Sequence, residues 1–327
     1  MLVTSVLALT GVLAMTTAAT AAPTLTVLPD LTGQAYSAVS DVNNLDVAVG
    51  ASGDGDEVYH AVRWAADGTI TQLPTLPGDT TSGATAINRH GVIIGASGTR
   101  AVKWNANGTV VELAKPVGYT SVRAAAINNS GVVVGTATTD FGHYAAVRWA
   151  ADGTPTLLPQ PVGARFYRAA DINKDGVIVG AADSGSTTEA VVWNIDGTIT
   201  ALTLPAGGSD GAASGINDNG VVVGNATVGP NLFRAVRWDA SGAPTFLAIR
   251  SDATGSAAAD LNNNGVVVGY ERGSGSFSFR AVKWNAAGVV VSLPIPTGSW
   301  SSQATSINNK GTIAGVSLND ALRWNKP

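Results

Sequence analysis

Ala124-Ala125-Ala126-Ile127-Asn128-Asn129-Ser130-Gly131-Val132-Val133-Val134-Gly135, followed shortly by Ala146-Val147-Arg148-Trp149, is the stretch whose reading decides the architecture. A run of Val bounded by Gly suits a short strand buried on both faces. In the second segment, period-two alternation sends Val147 and Trp149 to one face and Arg148 to the other. Asp152-Gly153, just beyond the Trp, is a hairpin signal.

The same unit recurs along nearly the whole chain. Its Asn falls at Asn43, Asn88, Asn128, Asn173, Asn217, Asn262 and Asn308, and its Trp at Trp64, Trp104, Trp149, Trp193, Trp238, Trp284 and Trp324. Successive copies lie 40 to 46 residues apart. Several short strands per unit at that period predict an all-β, seven-bladed β-propeller with four strands per blade. The small residues before each Asn suit the innermost strand, because bulky side chains would collide around the axis. Each Trp is expected to wedge between neighbouring blades. Burial of 150–250 Å² at about 25 cal/mol per Å² makes each worth roughly 4–6 kcal/mol before entropy is subtracted.

The ends of the chain complement each other. From each Trp to the next Asn the spacing is 24 residues in all six cases. Run backwards from Asn43, that register aligns Leu28-Pro29 with Leu73-Pro74, Leu158-Pro159 and Leu293-Pro294. Thr24 to Leu28 therefore reads as a fourth strand lacking a third, and Ala321 to Trp324 as a third strand lacking a fourth. The N-terminal strand is expected to complete the last blade and close the ring, removing exposed sheet edges.

These segments carry a family resemblance. The I-N-x-x-G-V-V-V-G and A-V-R-W pieces resemble the HAF repeat of predicted extracellular bacterial proteins, over essentially all of the chain beyond its N-terminal segment. The resemblance implies a secreted bacterial protein and transfers no catalytic residues. Copy one departs from the repeat at Asp46, where the other six have Gly, so its first turn is expected to differ.

Composition narrows the function. The net charge is −4, charged residues make up 13%, and Lys and Arg are scattered singly. A nucleic-acid binder needs a clustered basic footprint, so that class is disfavoured. Cys is absent, which removes disulfides and thiolate metal sites. Residues 1–22 read as a signal peptide, with an apolar run from Val3 to Met15 and an A-x-A site at Ala19-Thr20-Ala21. The segment lacks a basic n-region, and a buried N-terminal helix is the alternative. Residues 23–327 form one propeller domain, expected to be monomeric and secreted to the extracellular space or periplasm, without a membrane span. The last repeat runs to the end of the sequence, so no C-terminal anchor is expected.

All length variation between Asn and Trp falls between the second and third strands of each copy. Those loops share a face with the connections between blades, and that face is taken as the functional one. Its strongest cluster is Arg165, Phe166, Tyr167 and Arg168, near Phe141, His143 and Tyr144. Arg123 and Arg168 occupy one repeat position at the axial end of the first strand, and Gln303 takes it in the last copy. Trp300 is the eighth Trp and falls outside the repeat position. Aromatics with Arg are enriched at binding hot spots. A sugar or anionic ligand could stack on Phe166 or Tyr167 and bond to the Arg fork; packing between loops is the competing role. Asp54, Asp56 and Glu57 could offer oxygens to Ca²⁺, or form a solvated acidic loop. No other cofactor is indicated. The recurring Arg or Lys of A-V-[RK]-W is read as a structural partner.

Catalytic motifs are absent. The sequence has no G-x-S-x-G, H-E-x-x-H or Walker loop, and His60, His90 and His143 fall in different copies. Asp140, Glu189, Asp210 and Glu271 lie on the loop face, with nothing in the sequence to pair them. The reading is a non-catalytic binding module for a glycan, a cell-surface component or an extracellular protein. A polysaccharide-acting hydrolase or lyase and a structural envelope protein are the alternatives.

Overall fold

The computed structural model describes residues 23–55, 58–273 and 278–325. The signal-peptide expectation, Asp56 and Glu57 lie outside the described residues. Among those described, 28 strands form seven antiparallel sheets of four, arranged in a ring. It is a seven-bladed β-propeller. Blades 1 to 6 span residues 36–72, 82–112, 121–157, 166–201, 211–246 and 253–292. Blade 7 combines residues 303–325 with the strand Thr24–Val27.

Closure follows the expected register. Thr24–Val27 pairs antiparallel with Asp320–Asn325, placing Leu25 opposite Trp324 and Val27 opposite Leu322. Asp46 strengthens the seam. It adopts a left-handed conformation, φ 60°, where the other copies place Gly at φ 75–92°. The turn has the same shape as the rest, with Asp46 N–H donating to the Asn43 carbonyl as Gly91 does to Asn88. The expectation of a different first turn is thus corrected: Asp tolerates this region better than most residues. Its carboxylate accepts from Asn308 Nδ2, Lys310 Nζ and Thr312 Oγ1 of blade 7.

The core lies between blades. Every buried cluster joins two neighbours; Trp64, Val62 and Val39 of blade 1, for example, pack with Leu28, Ala314 and Ala321 of blade 7. Each repeat Trp is buried. Its indole N–H donates to a carbonyl just past the outer strand of the preceding blade, as Trp149 does to Ala114 at 2.7 Å and Trp64 to Pro29 at 2.8 Å. The basic residue of A-V-[RK]-W ties forward instead. Lys103 donates to Ala151 O, Arg237 to Ala286 O and Arg323 to Ala65 O, each in the next blade.

Two motif positions acquire structural reasons. The closing Gly of G-V-V-V-G faces a bulge in the inner strand, and a Cβ on Gly135 would stand 2.0 Å from the Arg123 carbonyl oxygen. The Asn does more than form an Asx turn. Asn128 Oδ1 accepts from the N–H of Ser130 and Val132, while its Nδ2 donates to the Asn173 carbonyl of the next blade. Repeated seven times, these bonds make a closed ring, with Asn308 returning to Asn43.

Candidate functional site

The inner strands leave an opening around the axis on the loop face because most carry small side chains there. Five residues before the repeat Asn stand Ala38, Gly83, Arg123, Arg168, Ala212, Ala257 and Gln303. Arg123 and Arg168, on blades 3 and 4, line one cavity of about 740 Å³. Thr85, Thr99, Ser121 and Thr136 contribute hydroxyls to its wall. Blade 2 keeps the cavity open, since Ile93–Ser97 and Arg100–Trp104 are joined by only Gly98 and Thr99. Both Arg side chains are exposed, and neither guanidinium has a hydrogen bond or ion pair among the described residues. Two unneutralised guanidiniums in one concave, hydroxyl-lined space favour a negatively charged, polyhydroxylated ligand.

The aromatic cluster splits between surface and core. Phe166 stacks on Tyr144 at 4.9 Å and on His143 at 5.5 Å, both at 25°. Phe166 shares a strand face with Arg168, roughly 7 Å further along. Tyr167 points the opposite way. It is 8% exposed and packs 6.5 Å from Trp193 in the core between blades 3 and 4. Burial raises its hydroxyl pKa. Its repeat position holds the buried Ser37, Ser82 and Ser256 in other copies, so the strand's period-two alternation assigns Tyr167 to the blade interface once Arg168 is placed on the channel. Arg165 is exposed beside Gly185. Phe141 is 90% and Trp300 63% exposed. Gln303 begins the inner strand of blade 7 and is half-buried, outside the Arg-lined cavity.

Asp54 is exposed and caps the Val58 N–H at 3.4 Å. Among the described residues no group of three acidic or histidine side chains is placed to hold a metal ion. Of the four loop-face carboxylates, Glu271 is buried, at 1% exposure. Its Oε1 accepts from the Arg250 N–H at 2.8 Å. Burial pushes its pKa up, against the opposing influence of that bond and of the Arg250 and Arg280 charges.

Deeper along the axis lie three carboxylates that sequence reasoning missed. Asp41, Asp171 and Asp260 each stand two residues before a repeat Asn, where other copies have Ala, Gly or Ser. Each bridges to the following blade, Asp41 accepting from Ile87 N–H, Asp171 from Ile216 N–H and Asp260 from Ile307 N–H, all at 2.8 Å. Ser306 Oγ donates to both Asp41 and Asp260. Enclosure by the blades pushes Asp171 and Asp260 up to about 7, helped by repulsion among the three, and burial also raises Asp41. The backbone bonds oppose these rises without cancelling them. The signal in the sequence was an acidic residue recurring in an otherwise small-residue strand.

No protein-family model matches the sequence, and neither does any curated protein sequence. Solved structures share the fold at low identity. A catalytically inactive virginiamycin B lyase from Staphylococcus aureus, with quinupristin, is 15% identical; the match covers 92% of this chain and 99% of that one, with a TM-score of 0.61. Oligogalacturonate lyase from Vibrio parahaemolyticus is 10% identical over 94% and 98% of the two chains, with a TM-score of 0.63. Puromycin hydrolase is 17% identical with a TM-score of 0.63, over 88% of this chain and 51% of that one. At these identities the likeness extends to the propeller fold, which hosts enzymes of differing chemistry.

Proposed function

We propose that this protein is a secreted, non-catalytic binding module whose loop face takes an acidic glycan. The observation that carries the reading is the pair Arg123 and Arg168, unneutralised in one hydroxyl-lined cavity of about 740 Å³. Guanidiniums pair with carboxylate or sulfate groups through two parallel hydrogen bonds, and Thr and Ser hydroxyls suit the sugar hydroxyls between them. The Phe166–Tyr144–His143 stack gives an aromatic face beside Arg168 for a sugar ring. The export-like N-terminal stretch and the HAF-repeat resemblance support an extracellular or periplasmic setting.

The same cavity weighs against glycoside hydrolysis and against a purely structural role. Glycoside hydrolysis needs two facing carboxylates some 5–10 Å apart, and the cavity lining contains no Asp, Glu or His. A purely structural envelope protein has no need of an open, charged depression on its loop face.

A glycan array probed with residues 23–327 tests the proposal. Binding should concentrate on uronate-containing or sulfated chains and fade as salt is raised. Arg123→Ala and Arg168→Ala should each weaken it by about tenfold or more, the usual cost of losing a charge-assisted hydrogen bond. Selective binding to neutral glycans, or indifference to both substitutions, would overturn the reading.

A further inference from the structure

A second cavity, of about 370 Å³, lies between blades 1 and 2 on the face opposite the loops, where the Asn turns and the outer hairpin turns emerge. We infer that it binds a phosphate monoester carrying a small apolar group, with the phosphate held by Arg63, Arg89 and His90 and the apolar group against Leu45, Leu73 and Pro74. The volume falls within the range of small-molecule pockets, roughly 300–1,000 Å³. Arg63 and Arg89 are exposed, and no Asp or Glu lines the cavity. Arg63 makes no hydrogen bond or ion pair among the described residues. Arg89 Nε donates to His90 Nε2 at 3.0 Å. That bond orients the guanidinium, leaves its two Nη groups for a ligand, and puts the proton of the neutral imidazole on Nδ1 as a further donor. Two guanidiniums and an imidazole N–H match the two charges and three terminal oxygens of a phosphate monoester better than the two coplanar oxygens of a carboxylate.

The cleft is given its charge by residues that break the repeat. Directly after the repeat Asn, Arg89 stands where other copies have Asn44, Asn129, Lys174, Asp218, Asn263 and Asn309. One position further, Leu45 is apolar and 59% exposed where the other copies have His90, Ser130, Asp175, Asn219, Asn264 and Lys310. Arg63 departs in what it bonds. Lys103, Arg237 and Arg323, at the same repeat position, each reach a carbonyl in the outer turn of the next blade. Arg63 and the corresponding Ala106 line the cleft together without that bond. The outer turn of blade 2 also lacks a charge that its counterparts carry. Asn107 stands where Asp67, Asp152 and Asp196 stand, and it still caps the Thr109 N–H as Asp67 caps that of Thr69. The corresponding cleft between blades 4 and 5, of about 290 Å³, gives the contrast: Val192 takes the place of Arg63 and Asp239 that of Asn105. The groove therefore belongs to the fold, and its positive charge to blades 1 and 2.

Titration calorimetry with phenyl phosphate tests the inference, with inorganic phosphate as the ringless probe and benzoate as the carboxylate. Phenyl phosphate should bind, and both other probes should be weaker by about tenfold or more. Arg63→Gln and Arg89→Gln should each weaken phenyl phosphate by about tenfold or more. Asn107→Asp, which restores the charge and keeps the cap, should also weaken it. Arg237→Gln, at the equivalent position of blade 5, should leave this binding intact. So should Arg123→Ala with Arg168→Ala, which separates it from the axial site. Phosphatidate vesicles distinguish the source of the monoester: sedimentation with them that phenyl phosphate competes away assigns a lipid headgroup, and its absence a soluble ester. Should an Arg variant fail to fold, nuclear Overhauser contacts from the probe ring to the Leu45 methyls of the unmodified protein decide the matter. No binding at millimolar phenyl phosphate, equal affinity for benzoate, binding that survives Arg63→Gln with Arg89→Gln, or probe contacts elsewhere would overturn the inference.

Discussion

Among single residues, the repeat Trp and the channel Asp make opposite contributions. Trp149 is fully buried and its N–H reaches the Ala114 carbonyl. Trp149→Ala should cost about 3–5 kcal/mol in denaturant unfolding, from lost burial and a cavity that cannot collapse. Trp300→Ala, at an exposed site, should stay within about 0.5 kcal/mol. The carboxyls of Asp171 and Asp260 are pushed up to about 7. The folded protein therefore binds more protons than the unfolded chain between pH 4 and 7. The contribution of these groups is fully present below the unfolded value near 4 and is lost as pH rises through about 7. Melting temperature should fall over that window, and Asp171→Asn with Asp260→Asn should flatten the fall. A melting temperature that rises across the window, or a slope unchanged by the substitutions, would contradict the assignment. Tyr167 shows where residue-level reading stopped. Its neighbours Phe166 and Arg168 made it look like part of a ligand surface, but alternation along the strand turns it into the core.

Strands and turns were the most legible scale. The Val-rich runs, Asn turns and Trp-ending segments locate the four strands of each blade, because their periodicity and Gly punctuation are local properties. What holds the blades together was less visible. The Asn ring, the Trp N–H bonds and the Asp bridges join residues in neighbouring copies. A repeat reveals that these positions matter without revealing which neighbour each one meets. The seam between blades 7 and 1 is the element most open to test. Asp46→Gly keeps the left-handed turn but removes acceptors for Lys310, Thr312 and Asn308. Partial burial works against charge on Asp46, yet those three partners together hold its carboxyl below its ordinary value. The variant should lose about 1–3 kcal/mol in chemical unfolding. Removing residues 23–31, which supply the closing strand, should be far more damaging and lower the melting temperature by tens of degrees. An unchanged melting temperature would show that the ring does not depend on that strand.

For the whole molecule, the ring provides a rigid frame and the copies differ mainly on one face. Blade number and closure could be read from spacing because every copy contributes the same signal. Arg123 and Arg168 could be paired from sequence because they share a repeat position on adjacent copies. The cavity they line could not, since it depends on the short connection of blade 2 and on small side chains from three blades. That cavity arises where copies depart from the common pattern, and such departures are where a repeated scaffold acquires specificity. The most direct test of the functional account is calorimetric titration of a purified uronate tetrasaccharide into the protein and into an Arg123→Ala, Arg168→Ala double variant, at low and moderate salt. The account predicts salt-sensitive binding to the unmodified protein and a loss of about a hundredfold or more in a double variant that melts normally. Equal affinity for both proteins, insensitive to salt, would contradict it.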